Sequence, residues 1–201
     1  MPPCCGNTAE LRCDLVSQAN GAIVYTDAVV NVVAARGTTA QEVSQAEEVH
    51  LHQFRAWDMI RGNTEHSLGG FPRYLEFLGA NYYADNQWEH PGQHRLHWHL
   101  KDQRRCTVND LLVPVWVHCN RPVLVAETGL VGDGRSLWLD NVVNAALRCL
   151  NKVVPLWSIC LYPLIDRTDW ENPDRWRRSG LRDVEPRPSE PSTLSLGADC
   201  S

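Results

Sequence analysis

The chain has 201 residues, enough for one domain with a real core, and its 43% hydrophobic and 21% charged content is ordinary for a globular protein. A net charge of -5 and a sequence pI of about 5.9 speak against a nucleic-acid surface. The longest basic cluster, Arg175-Trp176-Arg177-Arg178, is short and flanked by acids. The strongest apolar stretch, Val153 to Ile165, is too short for a membrane span and carries two prolines. The opening Met1-Pro-Pro-Cys-Cys-Gly has neither a basic leader nor an apolar segment, so the expected location is cytoplasmic, with no nucleic-acid or membrane partner.

In chain order, residues 9 to 19 read as a short helix with Leu11, Leu15 and Val16 on one side. Residues 22 to 35, rich in β-branched side chains, read as one buried strand with a polar break at Thr26-Asp27. A helix is expected from about Thr39 to Arg61, with Leu51, Phe54 and Trp57 at helical spacing and Gly62 as its stop. A second strand covers 74 to 83, and 84 to 106 is a polar loop. Thr107 and Asp110 form a capping box for a helix over Leu111, Leu112, Val115 and Trp116, in which Pro114 is awkward. The third strand is 122 to 127. Leu137 to Leu150 is an amphipathic helix whose expected inner stripe is Val142, Val143, Ala146 and Leu147. The fourth strand is 155 to 165, and from Glu185 to Ser201 the Pro, Ser and acidic content predicts a loose tail behind a domain over 1 to 184.

Strands that are apolar nearly throughout, alternating four times with helices, predict a parallel sheet covered by helices. A flavodoxin-like sheet and part of a (β/α)8 barrel both fit. Asp27-Ala-Val-Val lacks the glycines of a dinucleotide turn after the first strand, which weakens the nucleotide-binding version; no cofactor is implied. The eight cysteines form no CxxC pair and no zinc framework, and read as reduced thiols. His90, His94, His97 and His99 lie in a very polar loop and read as solvated or substrate-rim residues rather than metal ligands. Several of the eight tryptophans, Trp88 among them, stand beside polar groups, an arrangement that suits a sugar and equally an ordinary core.

Polar groups close three of the four strands. Asn81 and Tyr83 point to one side of strand two, with Tyr82 on the other; Glu127 ends strand three; strand four runs on to Asp166 and Asp169-Trp170. Catalytic groups of a (β/α)8 barrel gather where strands end. The competing reading is local: Asn81 and Asp166 capping turns, and Glu127 paired with Arg167.

Three segments carry a resemblance. "FLGANYYADNQW", "VLVAETG" and "LYPLIDRTDWENPDRWRRSGLRD" resemble, in that order, the strand six, seven and eight segments of the family 1 glycoside hydrolases, the β-glucosidase-type (β/α)8 barrels, or a close relative of them. The likeness covers about Gly21 to Asp183. It implies retaining hydrolysis of a β-glycoside, with Glu127 as nucleophile and Tyr83 holding its carboxylate. Asn81, Trp88, Asp166, Asp169 and Trp170 would bind the small carbohydrate substrate, with Trp170 packing on the sugar ring and no metal required. Thr128 stands where the family has asparagine, and Asp169 where it has glutamate. The family's acid/base lies in an Asn-Glu-Pro segment ending strand four, and no such segment occurs here. Counting elements explains this: 22 to 33 would be strand five, so the chain corresponds to the second half of the barrel, strands five to eight. Such a half is expected to be inactive or weakly active alone, and to self-associate or pair with a complementary half-barrel. A catalytically silent carbohydrate-binding fragment and a flavodoxin-like ligand-binding module are the alternatives.

Overall fold

The computed structural model describes residues 22–150 and 154–184. The expected helix over 9 to 19 and the expected tail from Glu185 lie outside the described residues. Four strands form one sheet: β1 (Val24–Ala28), β3 (Phe77–Asn81), β5 (Val123–Thr128) and β6 (Leu156–Leu161). All are parallel, and their order in the sheet is their order in the chain. A flavodoxin-like sheet reverses direction partway across to create its binding crevice; the order here has no such reversal. The arrangement is consistent with part of a (β/α)-barrel wall.

Between the strands run α1 (Ala40–Leu51), α2 (Arg55–Arg61), α3 (Val108–Cys119) and α4 (Arg135–Leu150). Capping boxes start two of them: Thr39 with Glu42, and Thr107 with Asp110 as its residues predict. Left-handed Gly62 ends α2, and left-handed Asn120 ends α3. Pro114 sits inside α3 at an exposed position, where the carbonyl that loses its partner can turn to water.

The helices bury one face of the sheet. Leu78, Ala80, Val123 and Val125 are fully buried against Trp57, Leu112, Val115, Trp138 and Val142. The opposite, inner face is lined by Thr26, Phe77, Gly79 and Ala126, and by Trp157, whose ring meets Phe77 edge-on at 4.7 Å. Trp157 stays 64% exposed.

Three expected elements differ. The single strand over 22 to 35 is two strands, because the chain leaves the sheet at Val29. There Gln53 Oε1 accepts from the Val30 N–H at 3.0 Å, and β2 (Asn31–Ala34) pairs in parallel with β4 (Gln87–His90), inside the expected loop. The single helix over 39 to 61 breaks at a 3-10 turn, His52–Phe54, which turns Gln53 inward. The inner stripe of α4 is Trp138, Val142, Ala145, Ala146 and Cys149; Val143 and Leu147 face outward. No helix among the described residues is long and apolar enough to cross a membrane.

Candidate active site

A pocket of about 640 Å³ opens at the C-terminal ends of β3, β5 and β6, within the size range of small-molecule sites. Its walls include Tyr83, Glu127, Tyr162 and, from the segment beyond β6, Arg167, Asp169 and Trp170.

The position of Glu127 depends on a bulge. Val125 faces the helices, so simple alternation would return Glu127 to the helix side. Instead the register of β5 on β3 shifts by one residue, from Ala80 opposite Val125 to Asn81 opposite Glu127. The extra residue brings Glu127 to the inner side, and the buried Thr128 returns to the helix side, where its Oγ1 accepts from Trp138 Nε1 at 3.0 Å. Bulges of this kind commonly re-aim a side chain beside a site.

Tyr83 reaches the same place from the neighbouring strand end. The Tyr82 N–H donates to the Glu127 carbonyl at 2.8 Å, which fixes the chain one residue before Tyr83. Tyr82 then turns into the core, its ring stacked on Trp138 and its hydroxyl accepting from Gln87 Nε2 at 3.0 Å. Tyr83 turns the other way, and its hydroxyl donates to Glu127 Oε2 at 2.8 Å. Burial, and then the hydrogen bond to the Glu127 carboxylate, push the Tyr83 phenol well above its ordinary range, so it remains a donor at any physiological pH. Asn81 lies beside this pair, its Oδ1 buried with no hydrogen-bond partner among the described residues. Gly129 follows because a Cβ there would collide with the Tyr162 carbonyl, where β5 and β6 draw together.

The hairpin of β7 (Arg167–Thr168) and β8 (Trp176–Arg177) closes one side. Asp169 accepts from Arg177 Nε and, at 2.9 Å, from the Glu171 N–H. The backbone bond to Glu171 first, and then Arg177, hold its carboxyl below the ordinary aspartate range. Trp170 is 78% exposed, with the Arg167 guanidinium 4.8 Å from its ring centre.

Not every expected residue arrives here. Asp166 is not on the pocket wall: its side chain is almost fully buried and accepts from the N–H groups of Gly180, at 2.8 Å, and Val184, at 3.1 Å, with Arg135 at 3.6 Å. It anchors the segment after the hairpin, which is the local role its position also allowed. Trp88 lines a separate cavity of about 440 Å³ with Val49, His90 and Gln93; Asp85 and Arg95 line both. The pairing of Glu127 with Arg167 does not form; Tyr83 is the partner of Glu127. Arg95, Tyr162 and Arg177 line the pocket without having been singled out. Arg177 belongs to the basic run 175 to 178, and its spacing to Asp169 along a hairpin is the signal that could have placed it. Among the described residues, no group of three or more His, Cys, Asp or Glu side chains is placed to hold a metal ion.

No family model and no curated protein matches the sequence. Solved structures do match the fold. The family 1 β-glucosidase from Thermotoga maritima aligns with a TM-score of 0.66 at 15% identity, over 88% of this chain and 48% of that one. The AHE enzyme from Alicyclobacillus herbarius aligns at 0.64 and 16%, over 89% and 49%, and the β-glycosidase from the hyperthermophile Thermosphaera aggregans at 0.61 and 16%, over 89% and 42%. The chain spans half or less of each of these structures. At such identity the likeness is one of fold: this chain has the fold of part of a β-glucosidase-type barrel.

Proposed function

We propose that the chain is the nucleophile-bearing half of a retaining β-glycosidase-type barrel, corresponding to strands five to eight. The observation that carries this reading is the 2.8 Å hydrogen bond from Tyr83 to Glu127, inside a pocket at the C-terminal ends of parallel strands. A carboxylate held by a phenol that stays protonated is oriented, as attack on an anomeric carbon requires. On the pocket wall Asp169 and Trp170 supply a carboxylate with spare lone pairs and an apolar plate, groups that bind a sugar ring; Asn81 lies beside Glu127 but off that wall.

In the reaction a Glu127 oxygen bonds to the anomeric carbon, and the bond to the leaving oxygen breaks with its electron pair going to that oxygen. With an ordinary alkyl leaving group, a second carboxyl about 5 to 5.5 Å away must protonate the departing oxygen. The other acids on the pocket wall are Asp85, Asp169 and Glu171. Asp85 is paired with Arg95 at 2.8 Å and Asp169 with Arg177, Glu171 is exposed in the turn of the β7–β8 hairpin, and Asp27 stands opposite the helix-facing Ala80. We assign the proton donor to none of these and place it in the complementary half of the barrel.

The test is incubation with a 2-deoxy-2-fluoro-β-glucoside carrying a dinitrophenyl leaving group, followed by intact-mass and peptide analysis. One label on Glu127, with no measurable turnover of methyl β-glucoside, is the expected result. Tyr83→Phe should slow labelling about tenfold or more, the value of a hydrogen bond to a charged group. Label on another carboxylate, or efficient hydrolysis of the alkyl glucoside by the pure chain, overturns the reading. Sugar binding without label would leave a carbohydrate-binding half-barrel instead.

A further inference from the structure

In the β7–β8 hairpin, Arg167 stands directly opposite Arg177. Directly opposed residues of an antiparallel pair share a face, and like charges there repel. Among the described residues only one of the two has a counter-ion: Arg177 is bonded to Asp169. Arg95, the third arginine on the pocket wall, is paired with Asp85 at 2.8 Å. Arg167 forms no salt bridge among the described residues. Its Nη1 donates to the adjacent Thr168 carbonyl at 2.7 Å, and its Nε is buried without a hydrogen-bond partner among the described residues. Its guanidinium lies 4.8 Å from the Trp170 ring centre and 5.9 Å from that of Tyr162. Aromatic faces attract a guanidinium and fix its plane, but they accept none of its in-plane hydrogen bonds in the way a carboxylate does.

The pocket therefore contains an oriented cation with an unfilled donor set, next to a second cation that already has its partner. We propose that Arg167 receives an anionic substituent of the sugar, a carboxylate or a phosphate monoester, so that the site takes acidic glycosides in preference to neutral ones. Both anions present the paired oxygens that a planar guanidinium binds bidentately. An anion there would also relieve the repulsion between Arg167 and Arg177. This inference rests on the reading of the pocket as a glycoside site.

The experiment is calorimetric titration of the full 201-residue chain with methyl β-D-glucoside, methyl β-D-glucuronide and methyl β-D-glucoside 6-phosphate at low salt. The anionic ligands should bind about tenfold or more tightly than the neutral one. That preference should shrink as salt is raised, because the contact is only partly shielded from solvent. The carboxylate and phosphate arms decide which anion fits better. Arg167→Gln should bring all three ligands to parity, and Arg167→Lys should keep part of the preference, since it preserves the charge and loses the fork. Equal affinities in the unmodified chain, or a preference that survives Arg167→Gln, overturn the proposal. The salt dependence of the unmodified chain tests it even if the glutamine variant fails to fold. Failure of both the neutral 2-fluoro-glucoside and the matching 2-fluoro-glucuronide, each with a dinitrophenyl leaving group, to label Glu127, with the anion preference intact, would remove the glycosidase reading and leave the anion site standing.

Discussion

The two faces of the four-stranded sheet are unequal. On the helix side Leu78, Ala80, Val123 and Val125 are fully buried, together with Trp57, Leu112 and Val142. On the inner side Val24 and Trp157 remain exposed, and both outer strands, β1 and β6, have one unpaired edge among the described residues. Each strand–helix unit completes its outer layer with its own neighbours in sequence, whereas the inner layer of a barrel is completed only by strands from across the ring. On the proposed reading, half a ring would hold its shape on the outer core while its inner face awaited a partner. The candidate site is built from that inner face and the strand ends, so on the same reading chemistry would depend on closure more than folding does.

The largest expected effect tests the outer layer. Trp138 is buried, stacks on Tyr82 and donates to Thr128 Oγ1. Trp138→Ala should cost about 3–5 kcal/mol, from the cavity and the hydroxyl left unpaired. Urea denaturation followed by circular dichroism measures it. A loss under about 1 kcal/mol would mean that the outer core does not carry the fold.

The inner face should respond differently. Trp157→Lys removes the edge-to-face contact with Phe77, worth about 1 kcal/mol, and places a charge on the bare side of the sheet. An open apolar face with two free strand edges favours association, through a second copy or a complementary half. Sedimentation velocity should show the unmodified chain associating with rising concentration and the lysine variant shifted toward monomer. A sharp monomer of the unmodified chain at all concentrations would break the comparison, since the inner face would then need no cover.

The same division explains what the sequence reveals. The outer layer is written in local signals: apolar strands, the Thr107–Asp110 cap, the Gly62 stop. The alternation that sends Tyr82 to the core and Tyr83 to the pocket is local too. Errors occur where a distant residue decides. The strand over 22 to 35 is broken by Gln53, which lies more than twenty positions away, and the same side chain interrupts the helix over 39 to 61. The expected stripe of α4 lies one step around the helix from the observed one, because Val143 and Leu147 match the burial pattern equally well in the absence of a neighbour. At the site, Glu127 and Tyr83 are legible as residues, but the bulge that brings Glu127 to the inner side is invisible in a run of apolar letters. Asp166 and Asp169 look alike in sequence; only the fold shows one holding the N–H groups of Gly180 and Val184 and the other on the pocket wall.

The smallest expected effect concerns Asp169, which links the hairpin to the pocket. Its folded-state pKa is lowered, by the Glu171 N–H first and Arg177 second. Its ionised form therefore stabilises the native state above the ordinary aspartate value, 3.8, and that contribution fades as pH falls through the lower folded value. Protonation frees Arg177 opposite an already uncompensated Arg167, so the acid limb should also register the repulsion between them. Asp169→Asn should lower stability at neutral pH and flatten its decline below about pH 4, because the variant has no carboxylate left to titrate. Urea midpoints at neutral pH and at several points on the acid side give both slopes. Parallel slopes for the two proteins would show that the Asp169–Arg177 pair contributes nothing beyond what solvent provides.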